Sequence, residues 1–176
     1  MTAVQSKEPF QLHGRARVLG DNINTDYIIS SSRKRETIDE SVLKHYLLEG
    51  VDPAFAATVE PGDVLVAGRN FGCGSAMEVA ATVILAAGIP AVLAKTFART
   101  FYRNAINNGL LPIECDTSSI VEGDRLSIVF EGERMDVSNA RTGETLTGRA
   151  LPPIMLEILE AGGLVHYMRR HCGFRL

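Results

Sequence analysis

The chain has 176 residues, is 45% hydrophobic and 22% charged, and carries a net charge of -3. That length and apolar fraction suffice for one globular domain with a sizeable core, and the slightly acidic balance gives no reason to expect nucleic-acid binding through bulk electrostatics. The three cysteines, Cys73, Cys115 and Cys172, are too dispersed for a C-x-x-C metal motif or a disulfide framework.

The N-terminal M-T-A-V-Q-S-K-E-P-F lacks a signal peptide's apolar centre. No later run reaches transmembrane length. A cytoplasmic protein with no membrane partner is expected, opening with a loose tail over residues 1–10. Gln11 to Leu19 alternates as a strand does, and Gly20-Asp21-Asn22 marks a turn. The polar run S-S-S-R-K-R-E-T that follows Ile29 reads as a loop. Thr37-Ile38-Asp39-Glu40 has the capping-box pattern and predicts a helix ending at Gly50. After an irregular segment at Asp52-Pro53, Pro61-Gly62 turns the chain into an apolar strand, Val64 to Ala67.

That strand empties into a loop containing Gly68, Gly72 and Gly74. Ser75-Ala76-Met77-Glu78 is a second capping box, which predicts a helix from Ser75 through V-A-A-T-V-I-L-A-A. Gly88-Ile89-Pro90 ends it, and A-V-L-A is the next strand. A helix with Phe97, Phe101, Ala105 and Ile106 on one face stops at Gly109, and L-L-P-I-E-C is again strand-like. This order predicts a parallel βαβ core with right-handed crossovers. Residues 125–151 read as added antiparallel strands, followed by a helix opened by Pro152-Pro153 and a basic tail. The fold class is mixed α/β, in a single domain over residues 1–176.

A strand that passes through a glycine loop into a helix start presents free N–H groups and a positive dipole end, which suits a carboxylate or phosphate. The spacing is neither a nucleotide P-loop nor a dinucleotide fingerprint. The residues themselves point to an anion near Ser75 and no further.

The longer pattern is more specific. G-D-N-I-N-T-D-Y-I-I, G-R-N-F-G-C-G-S and A-K-T-F-A-R-T-F-Y-R-N-A-I-N-N-G-L-L-P-I occur in that order. Together they resemble the small subunit of 3-isopropylmalate dehydratase, in the aconitase superfamily. The resemblance implies a swivelling β/β/α domain and a hydro-lyase of leucine biosynthesis that acts on a small di- or tricarboxylate. It places Ser75 on the family's general-base serine and Asp26 near the site. Gly72 and Gly74 would let backbone approach substrate, with Asn70 orienting substrate or loop. The stretch Arg33, Lys34, Arg35, Glu36 and Thr37 falls where the family reads the variable group of its substrate. Met77 stands in place of a carboxylate-binding arginine, and a thioether cannot reproduce a bidentate contact. The resemblance also implies a [4Fe–4S] cluster in a large partner subunit and no cofactor in this chain. Two alternatives stay open: the same chemistry on homoaconitate or a methyl-substituted malate, and a non-catalytic anion-binding assembly module in which Ser75 is only a cap.

Overall fold

The structure, a computed structural model, describes residues 10–131 and 134–172. In chain order its strands are β1 (Phe10–Val18), β2 (Val64–Ala67), β3 (Ala91–Ala94), β4 (Leu111–Glu114), β5 (Arg125–Glu131), β6 (Arg134–Asn139) and β7 (Thr145–Gly148). The helices are α1 (Thr25–Ile28), α2 (Ser31–Glu36), α3 (Glu40–Leu43), α4 (Phe55–Thr58), α5 (Val79–Ala86), α6 (Arg99–Asn108), α7 (Pro153–Glu160) and α8 (Leu164–His171), with a 3-10 turn at Lys44–Tyr46.

The strands run in the order β4-β3-β2-β1-β5-β6-β7, and β1 changes partner partway along. Phe10 to Arg15 pair antiparallel with β5, whereas Ala16 to Val18 pair parallel with β2. The sheet therefore folds over itself at β1. Val64, Val66, Ala91, Leu93, Leu111 and Ile113 of the parallel strands pack with Leu126, Ile128, Met135 and Val137 of the antiparallel ones. The alternate residues Leu65, Ala67, Val92 and Ala94 pack with Ala80, Ala81, Ile84, Phe101 and Ala105 of α5 and α6. The parallel strands are thus the middle layer of a β/β/α stack. Burial on both faces is why V-L-V-A and A-V-L-A are uniformly apolar instead of alternating. The two outer strands meet end to end, the Arg149 N–H donating to the Glu114 carbonyl at 2.8 Å, which covers part of an otherwise open edge.

Several local expectations are corrected. Phe10 is already strand, and the rest of the expected tail, residues 1–9, lies outside the described residues. The polar run after Ile29 is the helix α2, capped by the Ser30 hydroxyl, which accepts the Arg33 N–H. After Thr37 the cap is Asp39, whose carboxylate accepts the Ser41 N–H at 2.9 Å. Thr37 instead accepts the Asp39 N–H at 3.0 Å. The helix there is one turn plus the 3-10 turn, stopping short of Gly50 because Leu48 takes a left-handed φ of 58°. The segment after Asp52-Pro53 holds the single-turn helix α4. The expected basic tail begins inside the helix α8, which runs to His171, and residues 173–176 lie outside the described residues.

Two buried carboxylates fasten the layers. Burial pushes the Asp63 carboxyl up, but hydrogen bonds from Arg15 and the Glu60 N–H, with the nearby arginine charges, hold it below the usual range. Asp124 is held well below that range, first by its Arg141 hydrogen bonds and then, against burial, by the Val121 N–H and Asn139. Both folded-state values are depressed. The stability they contribute is therefore fully present above the unfolded carboxyl value, about 3.9, and is lost as pH falls through the folded-state values. Urea midpoints should fall as pH drops below about 3.9, the unfolded carboxyl value. Asp124→Asn should make that pH dependence shallower. An unchanged slope in the variant would remove Asp124 as a source of the effect.

Candidate active site

The loop between β2 and α5 is built on aromatic anchors. Phe71 is fully buried and meets Phe101 edge-on at 5.1 Å and Phe97 at 6.0 Å. Its N–H donates to the Thr96 carbonyl at 3.0 Å, and its own carbonyl accepts the Ala98 N–H at 2.9 Å. Gly72 lies against Phe101 with φ 75°, and a Cβ there would sit 2.2 Å from the Phe101 ring carbon Cγ. Gly74, with φ 101°, lies equally close to Asn24, where a Cβ would come within 2.3 Å of Oδ1. Only glycine suits both positions. Gly72→Ala should cost about 1–3 kcal/mol from backbone strain alone. The check is chemical denaturation, and wild-type stability would contradict the strain assigned to this left-handed position.

A second segment, residues 22–25, holds the other side of the loop. The Gly72 N–H donates to the Ile23 carbonyl at 2.8 Å and the Thr25 N–H to the Cys73 carbonyl at 2.7 Å. The Thr25 hydroxyl donates to the Ser75 carbonyl at 3.0 Å. Asn70 and Asn22 both adopt left-handed backbone, with φ of 59° and 56°, and the Asn70 amide donates to the Asn22 side chain at 2.9 Å. The Asn70 N–H donates to the Thr96 hydroxyl at 2.8 Å. Asn70 therefore braces the loop.

Ser75 is not the cap of α5, which starts four residues later behind Glu78 with no side-chain cap. The carbonyl of Ser75, not its hydroxyl, is the engaged group, since it also accepts the Met77 N–H at 2.8 Å. Residues 74–76 are exposed. Among the described residues, the N–H groups of Gly74, Ser75 and Ala76 and the Ser75 hydroxyl have no hydrogen-bond partner. The loop thus offers a free hydroxyl beside three consecutive free donors. Such donors suit a carboxylate or an alkoxide.

Asp26, Ser31 and Met77 are brought together beside this loop. Asp26 Oδ1 accepts the Ser31 N–H at 3.1 Å and the Ser31 hydroxyl at 2.5 Å, and that hydroxyl lies 3.7 Å from the Met77 sulfur. Met77 is buried.

The basic run divides. Arg33 is bound bidentately by Glu49 at 3.0 and 3.2 Å, pairs with Glu36 at 3.3 Å, and stacks 3.9 Å from the Tyr46 ring centre. Its role is to fasten α2. Lys34 and Arg35 are exposed and follow Ser31 by three and four residues, which puts them on its face of the helix. Thr37 is half-buried at the end of α2, and its hydroxyl serves the turn into α3.

The residues that sequence reasoning missed are Asn22, Asn24, Thr25, Ser31 and Thr96. Each acts across a long sequence separation, and only the cap role of Asn24, which accepts the Asp26 N–H at 2.9 Å, has a local signature.

Among the described residues no group of three or more His, Cys, Asp or Glu side chains could hold a metal ion. Burial pushes the Cys115 thiol up to about 12, opposite to the thiolate that an iron–sulfur cluster requires. Within the described residues no helix is long and apolar enough to cross a membrane.

Residues 15–118 match the aconitase C-terminal domain. The chain is 45% identical over 162 residues to an isopropylmalate/citramalate isomerase small subunit of Methanocaldococcus jannaschii, covering 90% of this chain and 94% of that protein. It is likewise 45% identical over 161 residues to a 3-isopropylmalate dehydratase small subunit of Oleidesulfovibrio alaskensis, covering 90% and 95%. A solved structure of 3-isopropylmalate dehydratase from Methanocaldococcus jannaschii superposes with a TM-score of 0.87 at 42% identity, covering 93% of this chain and 96% of that one.

Proposed function

This chain belongs to the aconitase C-terminal domain family, and from that premise we propose that it is the small subunit of a cytoplasmic hydro-lyase interconverting 2- and 3-isopropylmalate. It acts as one swivelling domain over a large partner subunit. The observation that carries this reading is the loop at Ser75, whose free hydroxyl sits beside three unpaired N–H donors. The described residues do not fit a cluster site, so we assign the family's [4Fe–4S] centre, which supplies Lewis acidity at the leaving hydroxyl, to the large subunit.

The chemistry of this chain is proton transfer and anion binding. As an alkoxide, Ser75 takes the proton from the carbon next to a substrate carboxylate. The electron pair of that C–H bond becomes the double bond as the hydroxyl leaves the neighbouring carbon. The exposed Ser75 hydroxyl exchanges its proton with solvent, and protonation of that neighbouring carbon from it, with hydroxyl added to the first, gives the isomer. The donors at 74–76 stabilise the alkoxide or a substrate carboxylate, and Gly72 and Gly74 keep the backbone close enough to do so. Lys34 and Arg35 face the substrate's second carboxylate. Asp26 and Met77 line the wall beside Ser75, while Asn70, Arg33 and Thr37 act by holding the loop and α2 in place.

The test is reconstitution with the large subunit, following the unsaturated acid formed from either isomer. Turnover should require both chains. Lys34→Ala or Arg35→Ala should raise KM about tenfold with little change in kcat, the mark of lost ground-state binding through one charge-assisted bond. Turnover by this chain alone, or a complex inert towards both isomers, would contradict the assignment.

A further inference from the structure

We propose that Ser31 is a specificity-positioning residue: its hydroxyl, between Asp26 and Met77, fixes the thioether as a wall that accepts an uncharged alkyl branch of the substrate and rejects a carboxylate. The inference rests on the reading of the Ser75 loop as the substrate site, and it goes beyond that reading by assigning the chemistry of one wall.

Three observations support it. First, Met77 is only 4% exposed although Gly74 to Ala76 beside it are open to solvent. Its side chain is therefore packed in place against the inner end of the loop. Second, the polar group that touches it is the Ser31 hydroxyl, at 3.7 Å from the sulfur. A thioether is a weak acceptor with no hydrogen to donate, so it offers nothing to a carboxylate. Third, the group one hydroxyl away is the carboxylate of Asp26, whose Oδ1 takes both Ser31 donors.

A substrate carboxylate placed here would meet a thioether, a spent hydroxyl and a like charge. It would lose its hydration with no compensating partner. An alkyl branch meets no such penalty, and the polarisable thioether fits an irregular apolar shape. The unpaired N–H groups of residues 74–76 and the cations Lys34 and Arg35, one turn further along α2 from Ser31, take the carboxylates. The guanidinium of Arg33 cannot turn to this wall without giving up Glu49, Glu36 and the Tyr46 ring.

Ser31 sets this arrangement without touching the reacting atoms. Loss of its hydroxyl frees both Met77 and the Asp26 carboxylate to move. Discrimination should then fall more than the chemistry does.

The experiment uses the complex with the large subunit and two substrates: a malate with an alkyl branch, and the corresponding malate with a carboxymethyl branch. For Ser31→Ala, the ratio of kcat/KM for alkyl over carboxymethyl substrate should fall about two- to tenfold, the range set by one neutral hydrogen bond. The change should lie mainly in KM. Ser31→Thr keeps the hydroxyl and should restore the ratio. Met77→Arg should move the ratio further towards the carboxymethyl substrate. An unchanged ratio in Ser31→Ala, with both substrates slowed alike, would overturn the proposal and make Ser31 a structural residue. The same holds if Met77→Arg leaves the ratio intact. Failure of the underlying site reading has a different signature, namely full activity of Ser75→Ala on the alkyl substrate.

Discussion

Replacing Ser75 by alanine is expected to lower turnover of the assembled enzyme by about a hundredfold or more, as loss of a positioned base does. Stability should stay within about 0.5 kcal/mol of wild type. The two expectations separate because of where the serine sits. Its hydroxyl caps no helix, since α5 begins at Val79. Its fold-bearing atom is the carbonyl, which Thr25 and Met77 hold and which alanine retains. Turnover and thermal midpoint measured on one preparation decide the matter. A loss of activity that tracks unfolding would make Ser75 a structural residue.

The largest stability effect is expected at the ion cluster between β1 and β2. Asp63 is 2% exposed and accepts from Arg15 at 3.0 and 2.8 Å and from Arg17 at 3.5 Å. Arg17 is itself buried, lies 4.4 Å from the Phe55 ring centre, and donates to the Thr58 carbonyl and to Glu122. The cluster thus joins β1, α4 and the turn before β5, at the point where β1 passes from one set of strands to the other. Asp63→Ala removes the buried acceptor shared by Arg15, Arg17 and the Glu60 N–H, and should cost about 3–5 kcal/mol. Arg17→Met with Asp63→Leu should recover much of that loss, because an apolar pair avoids desolvation of two ions. A cost below about 1 kcal/mol for Asp63→Ala, the range of an exposed pair, would contradict this role.

The contrast between these two sites explains what the sequence disclosed. Val64 to Ala67 and Ala91 to Ala94 are short apolar runs that only a strand covered on both faces requires, so the parallel core was legible residue by residue. Gly109 announced the end of α6 by the left-handed conformation that it adopts. The capping-box pattern at Ser75 misled, because it is a local signal and the loop obeys distant ones: Asn24 against Gly74, and Thr25 on the Ser75 carbonyl. Helix α2 was unreadable for the same reason. S-S-R-K-R-E has no apolar period, and what holds it is Arg33 reaching Glu49 and Tyr46. The division of the basic run into one fastening arginine and two free cations followed from those contacts alone. Ser31, one serine in a run of three, carried no signal.

The most direct measurement is exchange of the substrate's C–H proton, at the carbon next to the carboxylate, with deuterated water. The wild-type complex should wash deuterium into isopropylmalate during isomerisation. The complex carrying Ser75→Ala should bind the substrate with unchanged Kd and show exchange reduced by about a hundredfold or more. Exchange at the wild-type rate in that variant would contradict the assignment of Ser75 as the base.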